Sequence, residues 1–153
     1  MTTLTRGIII SVAGVVLLVG IAFVVLVGAA FHTWKAAERE GNEAATQQDL
    51  KTIAAVEVEY YNTHNRMFGT LDQMIKEEML TSKFSGNPPV ADGYVFNLSV
   101  TPKTVSQPGS FTLNADPLSA TTGKNHFYID STGASIHFNP SRSAGATDPT
   151  PSK

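Results

Sequence analysis

His126 and His137 are the residues of this chain that come nearest to a ligand pair. They sit on two short runs, HFYID and SIHFN, and a two-residue turn at Ser131-Thr132 pairs Asp130 with Gly133. Carried back along both strands, that register sets the two imidazoles opposite each other. Facing imidazoles hold zinc or copper only when a third ligand comes near. The pattern supplies none, so two half-exposed strand residues with ordinary hydrogen bonds is the plainer reading. Asp116, in ADPLSATTG, raises calcium in the same way, but one carboxylate falls short of the several oxygens that ion takes, and an Asp-Pro turn accounts for it. The chain is therefore read as binding no metal and no cofactor.

Other chemistry is excluded more directly. There is no cysteine, which removes disulfides, thiolate metal sites and a cysteine nucleophile. No Gly-x-Ser-x-Gly turn and no His-Glu-x-x-His helix occurs, so neither a catalytic residue nor a small-molecule substrate is predicted. Thirteen acidic and eleven basic residues give a net charge of -2. Without a basic cluster, a nucleic-acid partner is not expected.

One further reaction is a cut in the chain itself. In TLTRGIIISVAGVV, Arg6-Gly7 stands directly against an apolar run that lasts to Phe31. Residues 1–6 are either a cytoplasmic flank or a short leader removed between Gly7 and Ile8. No residue of the 25 from Gly7 to Phe31 is ionisable. As a helix they would span about 37 Å, against about 30 Å of hydrocarbon, which predicts a transmembrane helix over 7–31. The run is too long for an ordinary secretory signal. Gly7, Gly14 and Gly28 recur at seven residues or a multiple of it, with Ser11 and Gly20 nearby. Small residues on one face permit close helix contact, and together with Val12 they form the predicted helix–helix assembly surface.

These segments need elements to position them. After Phe31 the sequence turns polar, and from His32 to Asn62 it has no proline and a single glycine, Gly41, so the helix is expected to continue into water. Leu50, Ile53, Ala54, Val58 and Tyr61 form one apolar stripe at helical spacing, the predicted helix–sheet core, with Glu43, Asp49 and Glu57 on the opposite side. Trp34 suits the membrane interface. Thr70-Leu71-Asp72-Gln73 has capping-box form and opens a short helix over about 71–80. Strands follow at 94–100, 110–115, 126–130 and 135–139, alternating apolar with polar. The tail from 140 to 153, PSRSAGATDPTPSK with its three prolines, is expected to be disordered.

The segment NEAATQQDLKTIAAVEVEYYNTHNRMFGTLDQM, with DGYVFNLSV and TTGKNHFYIDSTGASIHF, resembles type IV pilins and type II secretion pseudopilins. There, Asn-Glu-Ala precedes a Leu-Lys/Arg-Thr-Ile helix and a tyrosine-rich exit, and a Gly-Tyr-x-Phe strand and a Phe-Tyr-x-Asp-x-x-Gly hairpin follow. The match covers about residues 38–139. It implies that the globular part, 32–139, lies outside the cytoplasmic membrane, with the amino terminus inside. It also implies that a leader ending in glycine is cut and that subunits polymerise through their apolar helices. A cut after Gly7 leaves Ile8 first, where the family usually has phenylalanine, and Val12 where it usually has glutamate. A carboxylate in lipid costs about 2.5 to 3.5 kcal/mol and drives pairing with a neighbour; valine supplies neither cost nor pull.

The sequence thus predicts an α+β, pilin-like fold. A long N-terminal helix, half membrane-spanning and half amphipathic, packs on a small antiparallel sheet of about four strands. The expected role is structural, in or accessory to a type IV pilus or type II secretion pseudopilus, with the membrane and other pilin-like subunits as partners. The alternative is a membrane-anchored binding domain that never polymerises.

Overall fold

The computed structural model describes the backbone of residues 3–151, with side chains from Thr33 onward, Ala134 excepted. The chain divides into two units, Met1–Ala37 and Glu38–Lys153. Helix α1 is Thr3–Thr63, and α2 is Leu71–Lys76. A single 3-10 turn at Ser82–Phe84 leads into strands β1 (Val90–Ala91), β2 (Tyr94–Thr101), β3 (Ser110–Pro117), β4 (His126–Asp130) and β5 (Gly133–Asn139). The strands form one antiparallel sheet in the order β1-β2-β3-β4-β5. Each strand follows its neighbour by a hairpin or short loop, the simplest route for an antiparallel sheet.

The expected architecture is corrected in two respects. Among the described residues no helix is long and apolar enough to cross a membrane, and a five-stranded sheet rather than a helix with a membrane-spanning half dominates the fold. From Thr33 to Thr63 the helix is rich in charge, with Lys35, Glu38, Arg39, Glu40 and Glu43 in its first eleven residues. The apolar run 7–31, with Gly7, Ile8, Ser11, Val12, Gly14, Gly20 and Gly28, lies outside the residues whose side chains are described. The fifth strand is β1. Asp92 and Gly93 both have positive φ, 49° and 75°, and so close a two-residue hairpin that pairs Ala91 with Tyr94.

One face of the sheet makes the core. Tyr94 and Phe96 from β2, Phe111, Leu113 and Ala115 from β3, Phe127 and Ile129 from β4 and Ile136 from β5 are buried together. Leu50, Ile53 and Tyr60 of α1 and Leu71 and Met74 of α2 belong to the same cluster. Each large apolar side chain so buried contributes about 1.5 to 3 kcal/mol. The helical face turned to this core is not the predicted stripe. It runs through Thr46, Leu50, Ile53, Glu57 and Tyr60, while Val58 is 54% exposed and Ala54 and Tyr61 are only half-buried. The rotation takes an acidic residue inside because a backbone donor waits there: Gly69 N–H bonds Glu57 Oε2 at 2.9 Å.

Helix α2 starts where the capping box places it. Thr70 Oγ1 accepts from Gln73 N–H, and Gln73 Oε1 accepts from Thr70 N–H. It stops at Lys76 rather than near Leu80, for Glu78 adopts a positive φ of 59°.

Candidate functional site

The residues that carry the family resemblance on α1 meet the loop between β3 and β4. Asn42 Nδ2 donates to Thr122 O at 2.9 Å, and Arg39 Nη1 to Ala120 O at 3.4 Å. Glu43 takes three donors: Lys124 N–H at 2.7 Å, Asn125 N–H at 3.1 Å and Asn125 Nδ2 at 2.7 Å. A carboxylate accepting two consecutive backbone N–H groups and an amide is held by charge-assisted bonds, the stronger sort. Tyr94 donates its hydroxyl to Asn125 O at 2.9 Å beneath the same loop. Burial, and then the Glu43 charge, push this phenol up, so it stays protonated and remains a donor. Gly123 is buried against the Tyr94 ring, where any Cβ would run into the phenol.

The predicted stripe splits between two surfaces. Leu50 and Ile53 are core residues; Ala54 and Val58 line an open groove of about 510 Å³ with Ala55, Phe111 and Ile129, and with Lys51 and Asp130 as its charged members. Tyr61 packs on Phe68, ring centroids 4.7 Å apart, and Phe68 on Phe111 at 5.1 Å.

The two histidines do not face each other. Asp130 pairs with Gly133 as the turn requires, but an irregularity between Tyr128 and Asp130 advances the register by two residues. Tyr128 therefore opposes His137, and His126 opposes Asn139. Across the sheet Asn97, Asn114, Tyr128 and His137 consequently fall in one row. Tyr128 donates to Asp130 Oδ2 at 2.8 Å; burial, then this bond, push its phenol up to about 12. Among the described residues no three His, Cys, Asp or Glu side chains converge as a metal site would need.

Serine, aspartate and histidine do meet once, in an order that cannot run nucleophilic catalysis. His126 Nδ1 lies 2.6 Å from Asp116 Oδ1, and Ser143 Oγ donates to Asp116 Oδ2 at 2.9 Å. In a triad the imidazole stands between hydroxyl and carboxylate and takes the hydroxyl proton. Here Asp116 stands in the middle, and the arrangement ties the tail to the sheet.

That tail corrects a further expectation. Residues 140–149, expected to be disordered, fold along β5 and back over β3. Ala144 is buried, its carbonyl accepting from Asn114 Nδ2 at 2.7 Å, and Phe138 N–H donates to Pro149 O at 2.9 Å. Asp148 gathers Asn139 Nδ2, Arg142 Nη2 and Gly145 N–H, and its carbonyl accepts from His137 Nδ1. Apolar content gave no hint of this, because the docking is made by polar side chains. The signal was polar: Asn139 at the end of the last strand, then Ser141, Arg142, Ser143 and Asp148.

Comparison with family models, with curated proteins and with solved structures returns no match to this chain.

Proposed function

We propose that this chain is a structural, pilin-like subunit, part of or accessory to a type IV pilus or a type II secretion pseudopilus. One observation carries the reading. Asn42 and Glu43, the start of the motif that gives the resemblance, are the side chains that tie α1 to the loop before the last two strands. A motif whose side chains fasten the helix from Glu38 onward to the sheet is stronger support than a string match. The apolar segment 7–31 is the element proposed to meet lipid and the corresponding segments of neighbouring subunits. The chain would then work at the cytoplasmic membrane, with its sheet unit outside, and in a surface filament once assembled.

The alternative, a membrane-held binding domain that does not polymerise, draws support from Val12, which offers no charge for a neighbour's amino terminus. Shearing cells that make the chain in its native setting separates the two. A subunit enters the sheared surface fraction, and its intact mass and amino-terminal peptides give a start at Ile8. Retention of the whole chain in the detergent-extracted membrane, starting at Met1 or Thr2, overturns assembly and leaves the binding domain.

A further inference from the structure

The turn that follows α1 rests on a carboxyl group with no charge to meet it. Glu57 is fully buried; its Oε2 accepts the Gly69 N–H, and its Oε1 has no partner. Residues 65–67 above it are exposed, and Asn65 and Arg66 both hold left-handed backbone, φ 53° and 58°, which side chains other than glycine adopt at a cost. Gly69 packs on the Tyr60 ring so closely that a Cβ would approach it to 3.0 Å. The turn itself is fastened by Arg66 N–H to Tyr61 O, Met67 N–H to His64 O and Lys103 Nζ to Asn65 O, while its two ends are held by His64, stacked on Tyr60 and bonded to Glu77, and by Phe68, packed between Tyr61 and Phe111.

We propose that segment 64–70 is a proton-controlled latch, seated on α1 while Glu57 carries a proton and released when Glu57 ionises. The neutral carboxyl keeps its acceptor for Gly69 at modest cost. Its anion, in the same place, has one hydrogen bond and one bare oxygen in an apolar surround, which is stable only when water or a cation reaches it. Among the described residues no cation bonds either carboxyl oxygen. The titratable or charged groups on the elements around the turn are Tyr60 on α1, His64 and Arg66 on the turn itself, Glu77 at the end of α2 and Lys103 on the β2–β3 hairpin. None of them bonds Glu57. His64 Nε2 is spent on Glu77 Oε2 at 3.0 Å, Lys103 on Asn65 O, and Glu77 has the same sign. Water therefore enters by the shortest route, through the exposed turn. Burial pushes Glu57 up to about 7, which puts the change near neutrality. Release would loosen Thr70, the cap of α2, and free the hairpin from Asn65, so that the surface bearing both would change with pH.

The test is amide exchange by NMR on the full chain in detergent, between about pH 5.5 and 8.5, corrected for the intrinsic exchange rate. The Glu57 side-chain carbon resonance is followed alongside. A titration near neutrality and a loss of Gly69 protection of about tenfold as pH rises are expected, with E57Q flat across the range. H64Q is the control, since His64 ties the same segment to Glu77 at 3.0 Å. A Glu57 carboxyl that ionises below about pH 5, a constant Gly69 protection, or a loss abolished by H64Q and retained in E57Q overturns the latch.

Discussion

The Glu43 carboxylate receives both hydrogen-bonding groups of Asn125, the backbone N–H at 3.1 Å and the side-chain amide at 2.7 Å, from 82 residues away along the chain. With Lys124 N–H it closes a three-donor clamp between α1 and the loop before β4. Glu43→Ala strands the part-buried N–H and amide of Asn125 and leaves the exposed Lys124 N–H to water, and is expected to cost about 1 to 2 kcal/mol in urea unfolding. Glu43→Gln retains the acceptor oxygen but turns an amide against one donor, so it should fall between the two. Equal stability of all three proteins would show that water replaces the clamp without loss.

Gly123 lies in the same loop and faces Tyr94 of the sheet. A methyl group there collides with the Tyr94 phenol, whose ring is fully buried and whose hydroxyl is tied to Asn125 O. Neither partner has room to move, so Gly123→Ala should cost about 1 to 3 kcal/mol. Tyr94→Phe removes the oxygen and part of the clash. In the double variant the two losses should therefore be smaller than their sum, which thermal or urea unfolding of the four proteins measures directly.

Glu57 makes the global stability depend on pH. Its ordinary value is 4.5, and burial raises it to about 7 in the folded chain. Below the lower value both states hold the proton and the folded state bears no penalty. Between them the unfolded chain releases the proton and the folded chain keeps it, so stability falls as pH rises, and it levels off above neutrality. The difference amounts to at most about 3 kcal/mol. Glu57→Gln should abolish this slope and be the more stable protein at pH 8. Parallel stability curves for the two proteins between pH 4.5 and 7.5 would disprove it.

Much of the fold was legible where local chemistry decides it. The capping box at Thr70, the alternation of β2 and β3 and the Asp130-Gly133 turn all appear as read, since each depends on residues a few positions apart. What escaped depends on partners far along the chain. Hydropathy puts Val58 inside and Glu57 outside, yet the Gly69 N–H draws Glu57 in, and the helix presents a face turned by one residue. The histidine pair failed on two residues of register, which no turn rule foresees. The Asp92-Gly93 hairpin was readable, because Asp-Gly is the usual signal for a tight two-residue turn, and it accounts for the fifth strand.

The tail offers the last prediction. Asp148 is held below the usual carboxylate range first by the Asn139 amide, then by Gly145 N–H and the Arg142 guanidinium. A lowered value means that the contribution is present above the ordinary 3.8 and is lost as pH falls through the folded-state value. Tail docking should therefore persist at neutrality and fail in acid, before the sheet itself unfolds. The Phe138 amide, bonded to Pro149 O, reports it by hydrogen exchange. Asp148→Asn mimics the acid state at pH 7 and should expose the chain after Arg142 to trypsin. Truncation after Asn139 should go further, removing the buried Ala144 and leaving Asn114 without its carbonyl, at a cost of about 1 to 2 kcal/mol. If Phe138 exchange in Asp148→Asn equals that of the parent at pH 7, the tail is held by its backbone contacts and the carboxylate is dispensable.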